Sequence, residues 1–217
     1  MDFKMNFQTA KNFFCLEGID GCGKSTQLKK IALDLENAGY EVLCIREPGG
    51  VEISEKIRQL LLDVKYKGIM CDKTELLLYN AARSQLIAEK IAPALAKGKV
   101  VLADRFAWST LAYQGYGRGI DPQTILELSQ IACGEYTPEL TIVLDLSVEE
   151  SRRRQAGEGR TPDRLESEAA DFFERVRNGY QQMAKNFPAC VSLIYAEDSV
   201  ENVYTQIKQR IFEKLKR

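Results

Sequence analysis

The stretch Gly18-Ile19-Asp20-Gly21-Cys22-Gly23-Lys24-Ser25-Thr26 constrains this chain more than any other. It follows the apolar run Phe13-Phe14-Cys15-Leu16 and opens a segment in which Leu28, Ile31, Ala32, Leu35 and Ala38 share one helical face, with Gly39 as a stop. The order is strand, glycine loop, helix. A loop of this form presents successive backbone N–H groups to phosphate oxygens at a helix N-terminus. Lys24 can reach the outer phosphates of a nucleotide, and the Ser25 hydroxyl can hold Mg2+.

The rest of the chain repeats the same alternation. Short, nearly continuous apolar runs lie at 12–17, 41–45, 99–103, 140–145 and 190–195. Runs of this kind suit a parallel sheet buried on both faces. Helical spacing falls between them: Ile57, Leu60 and Leu61, a run from Leu76 to Ala92, and Val200, Val203, Ile207, Ile211 and Leu215 near the C-terminus. Asp121-Pro122 reads as a helix start with proline at the first helical position, and Ser147 with Glu150 as a capping box. The predicted fold is α/β, of P-loop NTPase type, with a five-stranded parallel sheet flanked by helices on both faces. At 217 residues the chain is sized for a single domain, 12–217, preceded by an N-terminal extension, 1–11, that lacks the apolar core of a secretory signal.

Charge and cysteine usage exclude several classes. Thirty Lys+Arg balance thirty-one Asp+Glu, which argues against a broad nucleic-acid surface. No apolar run approaches the length of about 18 residues that spans a membrane. The six cysteines show no metal-ligand spacing and suit a reducing cytoplasm. Cys15, Cys44 and Cys190 read as buried small hydrophobes, and Cys22 as a small filler within the glycine loop. There is no histidine, so chemistry by charge and positioning is favoured over proton shuttling.

Further polar clusters stand at the ends of the predicted strands, where ligands bind in open α/β sheets. They are Arg46-Glu47-Pro48-Gly49-Gly50, Asp104-Arg105-Phe106 and, just beyond, Ser109 to Gly115. Asp104 can orient Mg2+ or its waters, and Arg105 can clamp a phosphate. Tyr79 and Arg83 stand four apart on one helical face, either as a cation–π surface pair or framing a base. The polar, glycine-rich segment 155–164, with Arg152, Arg153 and Arg154 before it, Arg160 within it and Arg164 at its end, reads as a lid spanning about 152–164.

Together these pieces resemble the thymidylate kinase family of P-loop nucleoside monophosphate kinases, in its bacterial type. The likeness runs from about Phe13 to Arg210 and adds Glu75-Leu76-Leu77-Leu78-Tyr79, Ala112-Tyr113-Gln114-Gly115 and Asp163-Arg164-Leu165-Glu166 to the motifs above. It implies transfer of the γ-phosphoryl group of ATP to dTMP, giving dTDP and ADP in dTTP synthesis, with ATP and Mg2+ bound, in a cytoplasmic homodimer. By the same resemblance Gly18 to Thr26 hold the donor phosphates, and Ser25 and Asp104 serve the metal. Asp20 approaches the acceptor and Arg105 clamps its phosphate. Glu47, Pro48 and Arg58 line the acceptor site. Tyr79, where the family usually has phenylalanine, stacks on thymine. Arg83 and Gln114 bond the base with Thr110 nearby, and Tyr113 crowds the sugar 2′ position. The loop carries no basic residue between Asp20 and Gly23, so the missing cation falls to the lid, Arg160 first and Arg154 second. Another nucleoside monophosphate kinase on the same scaffold is the alternative. A non-catalytic P-loop switch is a remoter one, since no N-K-x-D base reader occurs.

Overall fold

A computed structural model describes residues 9–157 and 162–216. Five parallel strands form one sheet in the order β2-β3-β1-β4-β5. They are β1 (Thr9–Glu17), β2 (Val42–Arg46), β3 (Val100–Asp104), β4 (Thr137–Asp145) and β5 (Val191–Tyr195). Helices α1 (Lys24–Asn37), α2 (Glu52–Leu62), α3 (Asp72–Leu86), α4 (Ala92–Ala96), α5 (Ala107–Thr110), α6 (Pro122–Cys133), α7 (Val148–Ala156), α8 (Ala170–Asn186) and α9 (Val200–Leu215) connect and cover it. One core cluster gathers Phe14, Leu16, Ile31, Leu102 and Ile142 with α8 and α9 on one face; the other gathers Phe13, Cys15, Val101, Ala103 and Phe106 with Leu86 and Ile91. β1 and β3 thus send alternate side chains into two cores, which is why their sequences read as unbroken apolar. Among the described residues, no helix is long and apolar enough to cross a membrane.

The register decides where loops emerge. Leu16 pairs with Asp104, and Asp104 with Arg46, so β1, β3 and β2 end level. Backbone bonds continue the ladder past the strand ends, from Arg105 N to Leu16 O and from Glu47 N to Asp104 O, each 3.0 Å. The glycine loop, Glu47-Pro48 and Asp104-Arg105 are therefore delivered to one edge of the sheet.

Several expectations change. β1 begins at Thr9, so the end of the expected extension joins the sheet: Thr9 and Ala10 pair with Thr137 and Pro138 before the register shifts at Asn12, whose φ is 62°. Cys44 is exposed rather than buried, because β2 is an edge strand. Leu60 is also exposed, on the outer face of α2. The Ser147–Glu150 capping box forms by half. Ser147 Oγ accepts from Glu150 N at 3.4 Å, but the Glu150 carboxylate is held by Arg153 and Arg154, and Glu197 takes the Ser147 N–H instead. The run from Leu76 to Ala92 is one rod in which a π-helical turn, Ile87–Ile91, joins α3 to α4. A second π-helical turn, Leu111–Gly117, follows α5 and carries Tyr113 and Gln114, consistent with the habit of such turns at functional sites.

Candidate active site

A cleft of about 570 Å³ opens over the ends of β1, β2 and β3. Of the residues expected at the site, Asp20, Gly21, Gly23, Lys24, Ser25, Thr26, Glu47, Pro48, Arg58, Tyr79, Arg83, Asp104, Arg105, Thr110, Tyr113, Gln114 and Arg154 all line it. Gly18, Ile19 and Cys22 do not. They form the buried underside of the loop, with Ile19 and Cys22 packed in the core, as suits a small filler at Cys22. Arg160 lies outside the described residues.

Backbone geometry explains the glycines of the loop. Gly18 has φ 134°, and a Cβ there would stand 2.5 Å from Leu144 O, so no side chain fits between the loop and β4. Gly23 has φ 93° and caps α1, which starts at Lys24. Lys24 is buried, its ammonium donating to Gly18 O at 3.0 Å and Ile19 O at 3.1 Å. Helix α7 braces the loop from outside. Ser151 Oγ donates to Asp20 O at 2.7 Å and Arg154 Nη1 to Gly21 O at 3.2 Å.

Beside the loop, Ser25 Oγ donates to Asp104 Oδ2 at 2.8 Å. A hydroxyl and a carboxylate converging at an open edge are hard oxygen donors of the kind Mg2+ takes. Among the described residues no three acidic, cysteine or histidine side chains cluster to hold a metal unaided. A magnesium ion here would complete its shell from phosphates and water, its usual habit in phosphoryl-transfer sites.

The opposite wall is built around Arg83. This buried guanidinium donates to Glu47 Oε2 and to Thr110 Oγ1, both at 2.9 Å, and lies 5.2 Å over the Phe106 ring. Of the two readings of Tyr79 and Arg83, the surface cation–π pair does not form; Arg83 points inward and its ring partner is Phe106. Burial pushes the Glu47 carboxyl up to about 7 against the pull of Arg83. Arg58 Nη1 donates to Pro48 O at 2.9 Å.

Arg105 stands between the two walls. Its Nη2 donates to Asp20 Oδ1 at 2.8 Å, and its guanidinium lies 5.2 Å over the Tyr113 ring. Its φ of 69° is left-handed, a conformation that a non-glycine residue adopts at some cost and that clusters at functional sites. Two side chains that sequence reasoning missed help to hold it. Glu17, at the buried end of β1, accepts from Phe106 N at 2.8 Å, Ser109 N at 3.0 Å and Tyr180 OH at 2.8 Å. Tyr180, on α8, also lies 3.4 Å from Arg105 Nη1. The only signal for Glu17 was a charge ending an apolar strand. Tyr180 had none, since it reads as one more core aromatic in an amphipathic helix.

The expected lid is partly structural. Arg152 to Arg154 belong to α7, where Arg153 pairs with Glu150 at the surface. Arg154 is bound to Glu150, Gly21 O and Ala196 O. Arg164 is no lid cation: it is buried, donates to Leu61 O at 2.6 Å and pairs with Glu75 at 2.6 Å. Glu75 also binds Gln114 and Arg118. Burial works against the Glu75 charge, but Arg118, Gln114 and Arg164 more than reverse it and hold the carboxyl below its ordinary value.

Known proteins resemble this chain over most of its length. The family model described as thymidylate kinase matches residues 16–207. A thymidylate kinase of Caldanaerobacter subterraneus is 41% identical over 94% of this chain and 96% of its own length. One of Geobacter sulfurreducens is 44% identical over 94% and 98%. The crystal structure of a thymidylate kinase from Ehrlichia chaffeensis superposes with a TM-score of 0.73 at 31% identity, covering 92% of this chain and 97% of the other.

Proposed function

The chain belongs to the thymidylate kinase family, and we infer that it transfers the γ-phosphoryl group of ATP to dTMP, giving dTDP and ADP in dTTP synthesis. The observation that carries the reading is the single cleft. A phosphate loop forms one wall, a pocket of Tyr79, Arg83 and Gln114 forms the other, and Arg105 with Asp20 stands between them.

In this reading Gly21 to Thr26 cradle the donor phosphates through backbone N–H groups, and Lys24 leaves its loop carbonyls to meet the outer phosphates. Ser25 and Asp104 hold Mg2+, which neutralises charge on the donor phosphates when bound. Arg105 clamps the acceptor phosphate, and Asp20 steers Arg105 by pairing with it. Glu47, Pro48 and Arg58 border the acceptor. Tyr79 stacks on the base, Arg83 and Gln114 bond it beside Thr110, and Tyr113 crowds the sugar 2′ position. The acceptor is already an anion, so alignment and charge neutralisation suffice and no strong base is needed. The further cation comes from Arg160, or from Arg154, whose guanidinium already touches the loop at Gly21.

The apolar side chains Ile53 and Leu60 on α2 and Leu77 on α3 are all exposed on packed outer helices. Exposed apolar side chains on these two adjoining helices support a homodimer formed through α2 and α3. The balanced charge and the free cysteines fit a cytoplasmic enzyme that binds nucleotides rather than nucleic acid. The test is a panel of dTMP, dUMP, UMP, dCMP, AMP and thymidine with Mg-ATP. Preference for dTMP supports the assignment; a clear preference for another acceptor moves the chain to the alternative, a different nucleoside monophosphate kinase.

A further inference from the structure

Glu75 lies one helical turn before Tyr79 on α3 and is only 1% exposed. Its Oε1 accepts from Gln114 Nε2 at 2.8 Å and from Arg118 Nε at 3.2 Å. Its Oε2 accepts from Arg118 Nη2 at 3.2 Å and pairs with Arg164 Nη2 at 2.6 Å. Three hydrogen bonds and the ion pair with Arg164 thus surround the carboxylate, which offers about four lone-pair positions. Arg118 is itself braced by Glu168 at 2.7 Å and lies 4.8 Å over the Phe172 ring. With both guanidiniums against it the carboxylate stays ionised, and an ionised carboxylate only accepts.

The consequence falls on Gln114, which lines the cleft. The two ends of an amide are alike in shape but opposite in hydrogen bonding. An obligate acceptor at 2.8 Å demands the amide nitrogen, and the carbonyl oxygen diverges from it. We propose that Glu75 is a positioning residue for base selection: by holding Gln114 Nε2 it turns Gln114 Oε1 toward the cleft as an acceptor. Thymine and uracil carry an N3–H donor that this oxygen can take. Cytosine presents N3 as an acceptor, so the two lone pairs would face each other. The inference rests on the reading that a pyrimidine nucleotide occupies this part of the cleft.

The test compares kcat/KM for dTMP and dCMP in the wild type, in Glu75→Gln, and in Glu75→Gln/Arg118→Gln, which removes one of the guanidiniums left unpaired. A glutamine at 75 both donates and accepts, so Gln114 is no longer held one way round. The dTMP-to-dCMP ratio is expected to fall about tenfold or more in each folded variant. A folded variant that keeps the ratio within about twofold of wild type overturns the proposal, since a merely structural role lowers both substrates together. If neither variant folds, the side-chain amide of Gln114 in the wild type decides, identified by its loss from the spectrum of Gln114→Leu. Slow hydrogen exchange there supports the Glu75 contact, and exchange as fast as that of exposed glutamines overturns it. A wild type that ignores dTMP altogether sinks the functional reading instead, and the exchange measurement still judges the contact.

Discussion

Ser25 and Asp104, 79 residues apart in sequence, are joined by a 2.8 Å hydrogen bond at the mouth of the cleft. The bond exists because the glycine loop leads from β1 directly into α1, and β1 ends level with β3. If this pair holds Mg2+, Asp104→Asn raises the Mg2+ concentration for half-maximal rate by about tenfold or more at fixed ATP. Initial rates across a Mg2+ titration measure it, and an unchanged midpoint would exclude Asp104 from the metal site.

Among the described residues, the Lys24 ammonium is held by its own loop. In the proposed mechanism it delivers its charge to the moving phosphoryl group. Lys24→Ala is expected to lower kcat by about a thousandfold, the loss of several kcal/mol of transition-state stabilisation. Single-turnover rates check this, and near-normal turnover sinks the proposed mechanism.

Glu47 titrates near pH 7 when folded, against an ordinary value of 4.5. Between those values the folded chain binds this proton and the unfolded chain does not. The group's contribution to stability therefore falls as pH rises from about 4.5 to about 7. Glu47→Gln cannot ionise, so its stability loss between about pH 5 and pH 7 should be smaller, by on the order of 2 kcal/mol. Urea unfolding of both proteins at each pH measures this. A slope of the opposite sign would mean that the ionised pair with Arg83 outweighs burial.

Arg105 combines a needed side chain with an unfavourable backbone. Replacement by glycine or alanine removes the same contacts, and both variants are expected to be inactive. They differ only in how well each tolerates a φ of 69°. Arg105→Gly should be more stable than Arg105→Ala by about 1 kcal/mol. Equal unfolding free energies would show that the backbone relaxes once the guanidinium is gone.

Tyr113 is buried against Arg105 and lines the cleft. If it crowds the sugar, Tyr113→Leu lowers the dUMP-to-UMP ratio of kcat/KM by about tenfold. These substrates differ only in the 2′ hydroxyl, so an unaltered ratio refutes the steric role.

The chain order of its elements was legible in the residues. Phe13 to Thr26 announce strand, loop and helix because glycine conformations and apolar runs are local properties. Val100 to Asp104 do the same, since a strand buried on both faces needs no partner to be recognised. The limits of β1, the exposure of Cys44 and the π-helical turn under Tyr113 were not legible. Each depends on what lies beside the segment: Thr137 pairing with Thr9, the place of β2 at the end of the strand order among the described residues, and α8 packed against Leu111–Gly117.

The same division runs through the site. Sequence alone picked out the groups proposed to meet a nucleotide: Lys24, Ser25, Arg83, Asp104 and Arg105 stand in motifs whose spacing reflects local backbone demands. Only the tertiary structure decided what each charge does at rest. It gave Arg83 to Glu47, Arg105 to Asp20, and Arg164 to Glu75 instead of a lid. Pairings of this kind lie between residues tens of positions apart. A buried guanidinium takes the carboxylate that the fold brings within reach, because leaving either charge alone in the interior costs more than any local preference can supply.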